Sequence, residues 1–231
     1  MSALANTNET PYLDLTNFVP AAALDELDRY LLEEGIGGAN NAAQWSAFLA
    51  DDSKHSECVE LCDKDTSSWP ELRRDAEEAF ATCRRRRGDA RTWRPNANAT
   101  ALPAVSAFAR RLPCFAGRVG KIAVILNGRN DAGVEHADHA LQDLVSEFVW
   151  VRPPRSTKRF YVVDSRGKKC EVPPSTRVLW FDDRLKHGIF PVNDEGQVSI
   201  RIDGRFCAAF RERIRRDGTF AFADGPAVLA A

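Results

Sequence analysis

The stretch TRVLWFDDRLKHGIFPV, residues 176–192, and the stretch QVSIRID, residues 197–203, decide the fold of this 231-residue chain. The first is a β-type run that continues through two aspartates to His187 and a glycine. The second alternates strictly: Val198, Ile200 and Ile202 share one parity, and Ser199, Arg201 and Asp203 share the other. Because successive side chains of a strand point to opposite faces, this stretch predicts a strand with one apolar and one polar face.

A short strand is predicted at residues 11–18, and further β-type runs lie between proline and glycine turns, at residues 121–126, 146–152, 160–164 and 169–172. Apolar residues at helical spacing lie earlier in the chain. Their spacing predicts helices at 21–34, 71–87 and 105–112. Short strands punctuated by such turns are typical of a sandwich or barrel. The sequence therefore predicts an α+β, mainly β fold, in which a cupin-like jelly roll is supported by N-terminal helices.

We interpret residues 1–231 as one domain, because the predicted helices carry too few apolar residues to form a core of their own. Residues 1–119 would be helical support and a variable segment, 120–210 the β core, and 211–231 a C-terminal extension. Within the variable segment, residues 37–70 are predicted as loop with short helices, and residues 91–100 are predicted as loop. Loops on a rigid scaffold commonly carry specificity. We therefore expect part of 37–100 to cover the mouth of a site.

Composition narrows the class of protein. The formal net charge is −1, from 32 basic and 33 acidic residues, which gives no electrostatic reason to expect nucleic acid or a membrane surface as partner. The N-terminus lacks a signal-peptide pattern and no run is long enough to span a membrane. The six cysteines are scattered without a CxxC pair. These features predict a cytoplasmic protein with reduced thiols.

The four histidines contain a candidate metal site. His136 and Asp138 are two residues apart, so on a strand both would point to one face, and His139 would point away. His187 ends the β-type run of the opening stretch. Two histidines and one carboxylate on one face of an octahedron leave three positions open, which suits non-haem iron(II). His55 also has an acid at the second position, but it lies in a polar stretch and is interpreted as surface.

Arg201 is the fourth member of the constellation. A guanidinium among β-branched residues needs an anionic partner, and its planar fork fits a carboxylate. The ordered set His136, Asp138, His187 and Arg201 is what a metal and a carboxylate-bearing cosubstrate would require.

Residues 121–206 resemble the double-stranded β-helix core of the Fe(II)/2-oxoglutarate-dependent oxygenases, in the style of the prolyl-hydroxylase-like branch. That family has a His-x-Asp motif, a distal histidine and an arginine on the next strand. The resemblance implies that His136, Asp138 and His187 bind iron(II), and that Arg201 holds the far carboxylate of 2-oxoglutarate. Asp203 departs from the family, which often has serine there, and makes Arg205 a rival for the Arg201 role.

The resemblance implies an enzyme that uses iron(II), 2-oxoglutarate and O2 and releases succinate and CO2. Because Asp138 is present, hydroxylation of an unactivated C–H bond, or an outcome such as desaturation or cyclisation, is favoured over halogenation. The expected substrate is a small molecule such as an amino acid or natural-product intermediate, with a protein side chain as the alternative. Two other interpretations stay open: a cupin-like metalloenzyme that does not use 2-oxoglutarate, and a non-catalytic jelly-roll binding module.

Overall fold

The computed structural model describes residues 11–33, 56–64, 93–127, 134–138, 146–153, 158–191 and 197–216. Within them the strands are β1 Tyr12–Asp14, β2 Ser56–Glu60, β3 Cys62–Lys64, β4 Trp93–Pro95, β5 Ile122–Asn127, β6 Phe148–Val151, β7 Arg159–Val163, β8 Lys169–Glu171, β9 Val178–Phe181, β10 His187–Phe190 and β11 Gln197–Asp203. The helices are α1 Ala21–Glu33, α2 Ala97–Ala101, α3 Pro103–Arg111 and α4 Ala208–Arg216, and residues Thr16–Phe18 form one 3-10 turn.

Two sheets carry the fold. The larger has the order β1-β9-β6-β11-β5-β2, and the smaller has the order β10-β7-β8. All strand pairings among the described residues are antiparallel. The sheets meet through aromatic rings: Phe160 of β7 stacks on Trp150 of β6 at 4.8 Å and lies 4.9 Å from Phe181 of β9, between ring centroids. The mainly β class with antiparallel sheets is confirmed, and the two facing sheets are consistent with a jelly roll.

The predicted N-terminal helices support the larger sheet. Leu24 and Leu27 of α1 and Val105 and Phe108 of α3 belong to the same buried apolar cluster as Ile200 of β11. Their spacing places each pair on one helical face. The helix predicted at 21–34 is observed as α1 and the one at 105–112 as α3, whereas that at 71–87 lies outside the described residues.

The prediction of loop with short helices across residues 37–70 is wrong for 56–64, which form β2 and β3. Residues 93–95 likewise form β4, and residues 97–100 lie in the helix α2, rather than in the predicted loop. β2 reads SECVE and pairs with β5 at the edge of the larger sheet. An edge strand can be polar because one of its sides faces solvent. Its own sequence therefore need not show a strand pattern, and the pattern that indicates the pairing is that of the partner strand.

The strand predicted at 11–18 is shorter than expected. β1 ends at Asp14, whose Oδ1 accepts a hydrogen bond of 2.8 Å from the Thr16 backbone N–H. This side-chain turn redirects the chain into the 3-10 turn. Thr16 Oγ1 in turn accepts a hydrogen bond of 2.9 Å from the backbone N–H of Arg177, which joins the turn to the start of β9.

Arg152 connects β6 to the turn regions of the smaller sheet. It is 3% exposed, and its guanidinium donates to four backbone carbonyl oxygens, those of Lys158 (2.9 Å), Val172 (3.5 Å), Pro173 and Thr176 (2.7 Å). Buried carbonyls away from regular ladders need such partners. The side chain therefore substitutes for the backbone pairing that these turns lack.

We expect Arg152→Ala to lower the free energy of unfolding by at least about 3 kcal/mol, since each buried acceptor left unsatisfied costs about 1–3 kcal/mol. Urea denaturation monitored by tryptophan fluorescence measures it. The matched control is Arg159→Ala, which removes an exposed guanidinium paired with Glu171 and should change stability little. Equal effects of the two substitutions would contradict the role given to Arg152.

The described cysteines differ in how deeply their thiols are buried. Among the described residues Cys62 and Cys114 are buried, Cys170 and Cys207 are half-buried, and Cys58 is exposed. Burial raises the pKa of Cys62 to about 11 and that of Cys114 to about 12. Such thiols behave as small apolar core residues. No helix in the described part of the chain combines the length and apolar character needed to cross a membrane.

Candidate metal centre

The strand β10 and the segment 134–138 bring the predicted ligands together. His136 and His187 exchange both backbone hydrogen bonds, at 3.0 and 2.8 Å, and the Asp138 N–H donates to the carbonyl of Asp183 at 2.9 Å. One ligand atom from each of His136, Asp138 and His187 lies within 4.8 Å of the others. Asp138 is thus next to His136 in the site, as their i, i+2 spacing predicts.

Backbone carbonyls fix the tautomer of both histidines. The Nδ1 of His136 lies 2.7 Å from the Val134 carbonyl oxygen, and that of His187 lies 2.9 Å from the Leu185 carbonyl oxygen. Because a carbonyl only accepts, each Nδ1 must carry the hydrogen, and each Nε2 presents its lone pair. Histidine metal ligands are oriented in this way by a second hydrogen bond.

The electrostatics of His187 also favour the neutral form that binds metals. His187 is 6% exposed, and its burial, followed by the nearby His136, holds the pKa below its ordinary value despite the backbone carbonyl and the carboxylates of Asp138 and Asp183. A neutral imidazole can coordinate without first losing a proton.

Asp138 divides its two oxygens between different partners. Oδ2 accepts a hydrogen bond of 3.0 Å from Nη1 of Arg201, and Oδ1 lies 4.0 Å from Nε2 of His136. The carboxylate therefore has one oxygen held by a buried guanidinium and the other next to a histidine lone pair. Three donors of this chemistry, two imidazole nitrogens and a carboxylate oxygen, fit iron(II).

Arg201 lies on β11 between Ala123 of β5 and Trp150 of β6. Besides Asp138, its guanidinium binds Asp183 at 2.9 Å and Asp203 at 3.1 Å. Burial alone lowers the pKa of Arg201, but the three carboxylates reverse this and raise it above the ordinary value. The predicted role of Arg201 toward a cosubstrate stays a prediction, but three protein carboxylates already bind this guanidinium.

The departure at position 203 has a structural explanation. Asp203, 1% exposed, pairs with Arg201 two residues earlier on the same face of β11. Arg205, the rival of Arg201, is exposed beyond the end of the strand. Asp203 thus belongs to the carboxylate cluster around Arg201.

Aromatic rings enclose the inner side of the site. The His187 ring lies 4.9 Å from Phe181 and 6.0 Å from Phe160, between centroids, whereas the side chain of His136 is 55% exposed. A metal at these ligands would thus have an apolar wall on one side and an opening on the other. Water exclusion of this kind strengthens the electrostatic interactions within a site.

Two buried charged residues that contact β11 have no part in the sequence prediction. Asp183 binds Arg201, and Lys158 is buried close to Ser199. The only sequence signal for Lys158 is its parity, because it precedes the inward Phe160 by two residues. His55 and His139 lie outside the described residues.

Comparison with solved structures finds several similar chains, among them the following three. A prolyl hydroxylase from Trichoplax adhaerens, solved with a hypoxia inducible factor peptide fragment, is 13% identical over 85% of this chain and 84% of its own, with a TM-score of 0.43. A Pseudomonas putida prolyl-4-hydroxylase is 11% identical over 85% and 93%, with a TM-score of 0.42. A 2OG-Fe(II) oxygenase family protein from Burkholderia pseudomallei is 13% identical over 80% and 91%, with a TM-score of 0.36.

These neighbours are hydroxylases and an Fe(II)/2-oxoglutarate oxygenase. No protein-family model matches the chain, and no curated protein matches it. Because the identities and TM-scores are low, the function has to be judged from the residues of the site.

Proposed function

We propose that this protein is an iron(II)- and 2-oxoglutarate-dependent oxygenase that hydroxylates an unactivated C–H bond of a small molecule, such as an amino acid or natural-product intermediate. The observation that carries the proposal is the convergence of two lone-pair imidazole nitrogens and one carboxylate oxygen within 4.8 Å. In this proposal His136, Asp138 and His187 bind the iron and perform catalysis through it. The fold is a double-stranded β-helix within one domain of a cytoplasmic protein.

Iron(II) held by three protein ligands, with three positions open, would supply O2 activation coupled to decarboxylation of 2-oxoglutarate to succinate and CO2. The protein supplies placement and a dry environment. The carbonyls of Val134 and Leu185 orient the two imidazoles, Arg201 holds the second oxygen of Asp138, and the rings of Phe160 and Phe181 exclude water from the His187 side. The exposed side of His136 leaves room for substrate to approach.

Substrate is proposed to approach on the exposed side of His136. The polar cluster of Glu135, Tyr161 and Lys169 does not line that approach. Glu135 and Tyr161 are each next in sequence to an inward residue, His136 and Phe160, so they lie on the opposite face of their strands. A peptide substrate is the alternative, since one structural neighbour was solved with a peptide.

The test is to add iron(II) and then 2-oxoglutarate without oxygen and record the visible spectrum. We expect a metal-to-ligand absorption band that saturates with 2-oxoglutarate. Iron binding without the band would favour the cupin-like metalloenzyme, and absence of iron binding would favour the non-catalytic module. Succinate release that depends on a candidate substrate would then identify the substrate class.

A further inference from the structure

The donors of Arg201 already contact protein carboxylates. Nε contacts Asp203 at 3.2 and 3.3 Å, Nη1 contacts Asp138, and Nη2 contacts both Asp183 and Asp203. The Asp183 and Asp203 side chains are each 1% exposed, so these are buried pairs with little solvent screening. A further carboxylate at this guanidinium would join a cluster with three acids for one base. Arg201 is therefore suited to orient Asp138 and poorly suited to receive a ligand anion.

A second cation reaches the interior from the opposite sheet. Lys158, immediately before β7, is 4% exposed, and its Nζ donates to Oγ of Ser199 on β11 at 2.7 Å. Ser199 is fully buried. The backbone of Lys158 is itself fixed, because its carbonyl accepts a hydrogen bond from Arg152. The side chain thus extends from the start of β7 in the smaller sheet, and its ammonium contacts Ser199 of the larger sheet.

The position of this ammonium relates it to the metal centre. Its Nζ lies 5.5 Å from the Trp150 ring, which stacks on Phe160, and Phe160 lies against His187. Ser199 precedes Arg201 by two residues on the same face of β11, which is about 7 Å along a strand. A ligand of a few carbons, bound to the metal at one end, could reach the Lys158–Ser199 pair with the other.

The chemistry of the pair suits a carboxylate. A lysine ammonium has three donors, and charge-assisted hydrogen bonds to a carboxylate are strong in a buried site. The Ser199 hydroxyl accepts the bond from Lys158 and keeps its own hydrogen to donate. Two donors from facing sheets can therefore meet one carboxylate group.

We propose that Lys158 and Ser199, and not Arg201, receive the far carboxylate of 2-oxoglutarate, and that Arg201 is a positioning residue for Asp138. The inference rests on the proposed function, because it assigns residues to the cosubstrate of that reaction. It replaces the sequence-based assignment of Arg201 with a cation on the other sheet.

The experiment compares two 2-oxo acids on the anaerobic iron(II) protein by titration of the visible absorption band. 2-Oxopentanoate has a methyl group where 2-oxoglutarate has its far carboxylate, so the ratio of their dissociation constants reports that carboxylate alone. We expect wild type to prefer 2-oxoglutarate. Lys158→Met should weaken 2-oxoglutarate binding by at least about 30-fold and leave 2-oxopentanoate binding unchanged, so that the preference disappears.

Matched variants complete the design. Lys158→Arg should restore part of the preference, Ser199→Ala should reduce it less than Lys158→Met, and Lys121→Met, which removes a lysine paired with Glu60, should keep it. Arg201→Lys should keep the preference even where iron binding weakens. Iron affinity without cosubstrate and thermal unfolding check that each variant is folded. Lys158→Gln, which can still donate to Ser199, replaces Lys158→Met if the latter does not fold.

The outcomes separate the two proposals. If Lys158→Met and Lys158→Gln keep the preference for the diacid and Arg201→Lys loses it, Arg201 is the anchor, and this inference is overturned while the function stands. If wild type binds both acids equally, no cation holds the far carboxylate, and the inference fails. If neither acid produces the band in wild type, the proposed function itself fails.

Discussion

His187→Ala should reduce iron(II) affinity by more than about 100-fold, and Asp138→Ala and His136→Ala should do the same. Loss of a group that merely orients a metal ligand already costs about 10- to 100-fold, and these substitutions remove ligands themselves. Each also leaves two donors, too few to hold the ion on one face. Activity that depends on 2-oxoglutarate should disappear with the metal.

The measurement is the iron-dependent increase in melting temperature under anaerobic conditions. An ion that binds only the native state stabilises it by about 2.7 kcal/mol at 100 times its dissociation constant, and each ligand variant should lose this increase. Asp182→Asn is the matched control, because Asp182 is close in sequence to the site but pairs with Arg184. If any two of the ligand variants retain wild-type iron affinity and turnover, the metal site is wrongly assigned.

The candidate ligands can be predicted from the sequence because each follows from a local rule. The structure brings them together, and their binding of a metal stays a prediction. His136 and Asp138 share a parity, and His187 directly follows a β-type run and a short turn. The structure adds that β10 begins at His187 and pairs with His136 across one pair of backbone hydrogen bonds. That pairing joins residues 51 positions apart in sequence, and parity alone does not determine it.

The partners of Arg201 could be predicted only in part. Asp203 shares the polar parity of β11 with Arg201, so the sequence predicts that the two side chains lie close together. The negative charge of Asp203 also makes Arg205 an alternative to Arg201 for binding the cosubstrate. Asp138 and Asp183 come from two separate loops that meet through the hydrogen bond between Asp138 N–H and the Asp183 carbonyl. Contacts between loops depend on tertiary packing, which leaves no periodic signal in either loop.

Lys158 is not selected from the sequence, for a different reason. Its parity with Phe160 and Val162 predicts an inward side chain, but lysines are almost always at the surface. A general expectation for the residue type therefore conflicts with a local pattern. Where these two conflict, a functional role is a reasonable hypothesis, because the cost of burying a charge has to be offset.

Arg201→Met should lower the free energy of unfolding by about 3–5 kcal/mol, the cost of leaving buried charges without their partner. Asp183 and Asp203, each 1% exposed, would keep their charges in the core without the guanidinium. The same substitution frees Oδ2 of Asp138, so iron affinity should fall about 10- to 100-fold. The two effects are measured on separate samples, by urea denaturation without metal and by anaerobic iron titration.

A rescue variant distinguishes loss of charge compensation from loss of packing. Asp203→Asn in the Arg201→Met background removes one of the two buried carboxylates that have lost their guanidinium partner, so it should recover part of the lost stability. It should recover none of the lost iron affinity, because Arg201 no longer holds Asp138. Arg159→Met is the control, since the side chains of its pair with Glu171 are 52% and 38% exposed, and exposed pairs contribute at most about 1 kcal/mol. If Arg201→Met were as stable as wild type and bound iron equally well, the carboxylate cluster would have no role in orienting Asp138. Arg201 would then again be a candidate for holding the cosubstrate, which the comparison of 2-oxoglutarate with 2-oxopentanoate would decide.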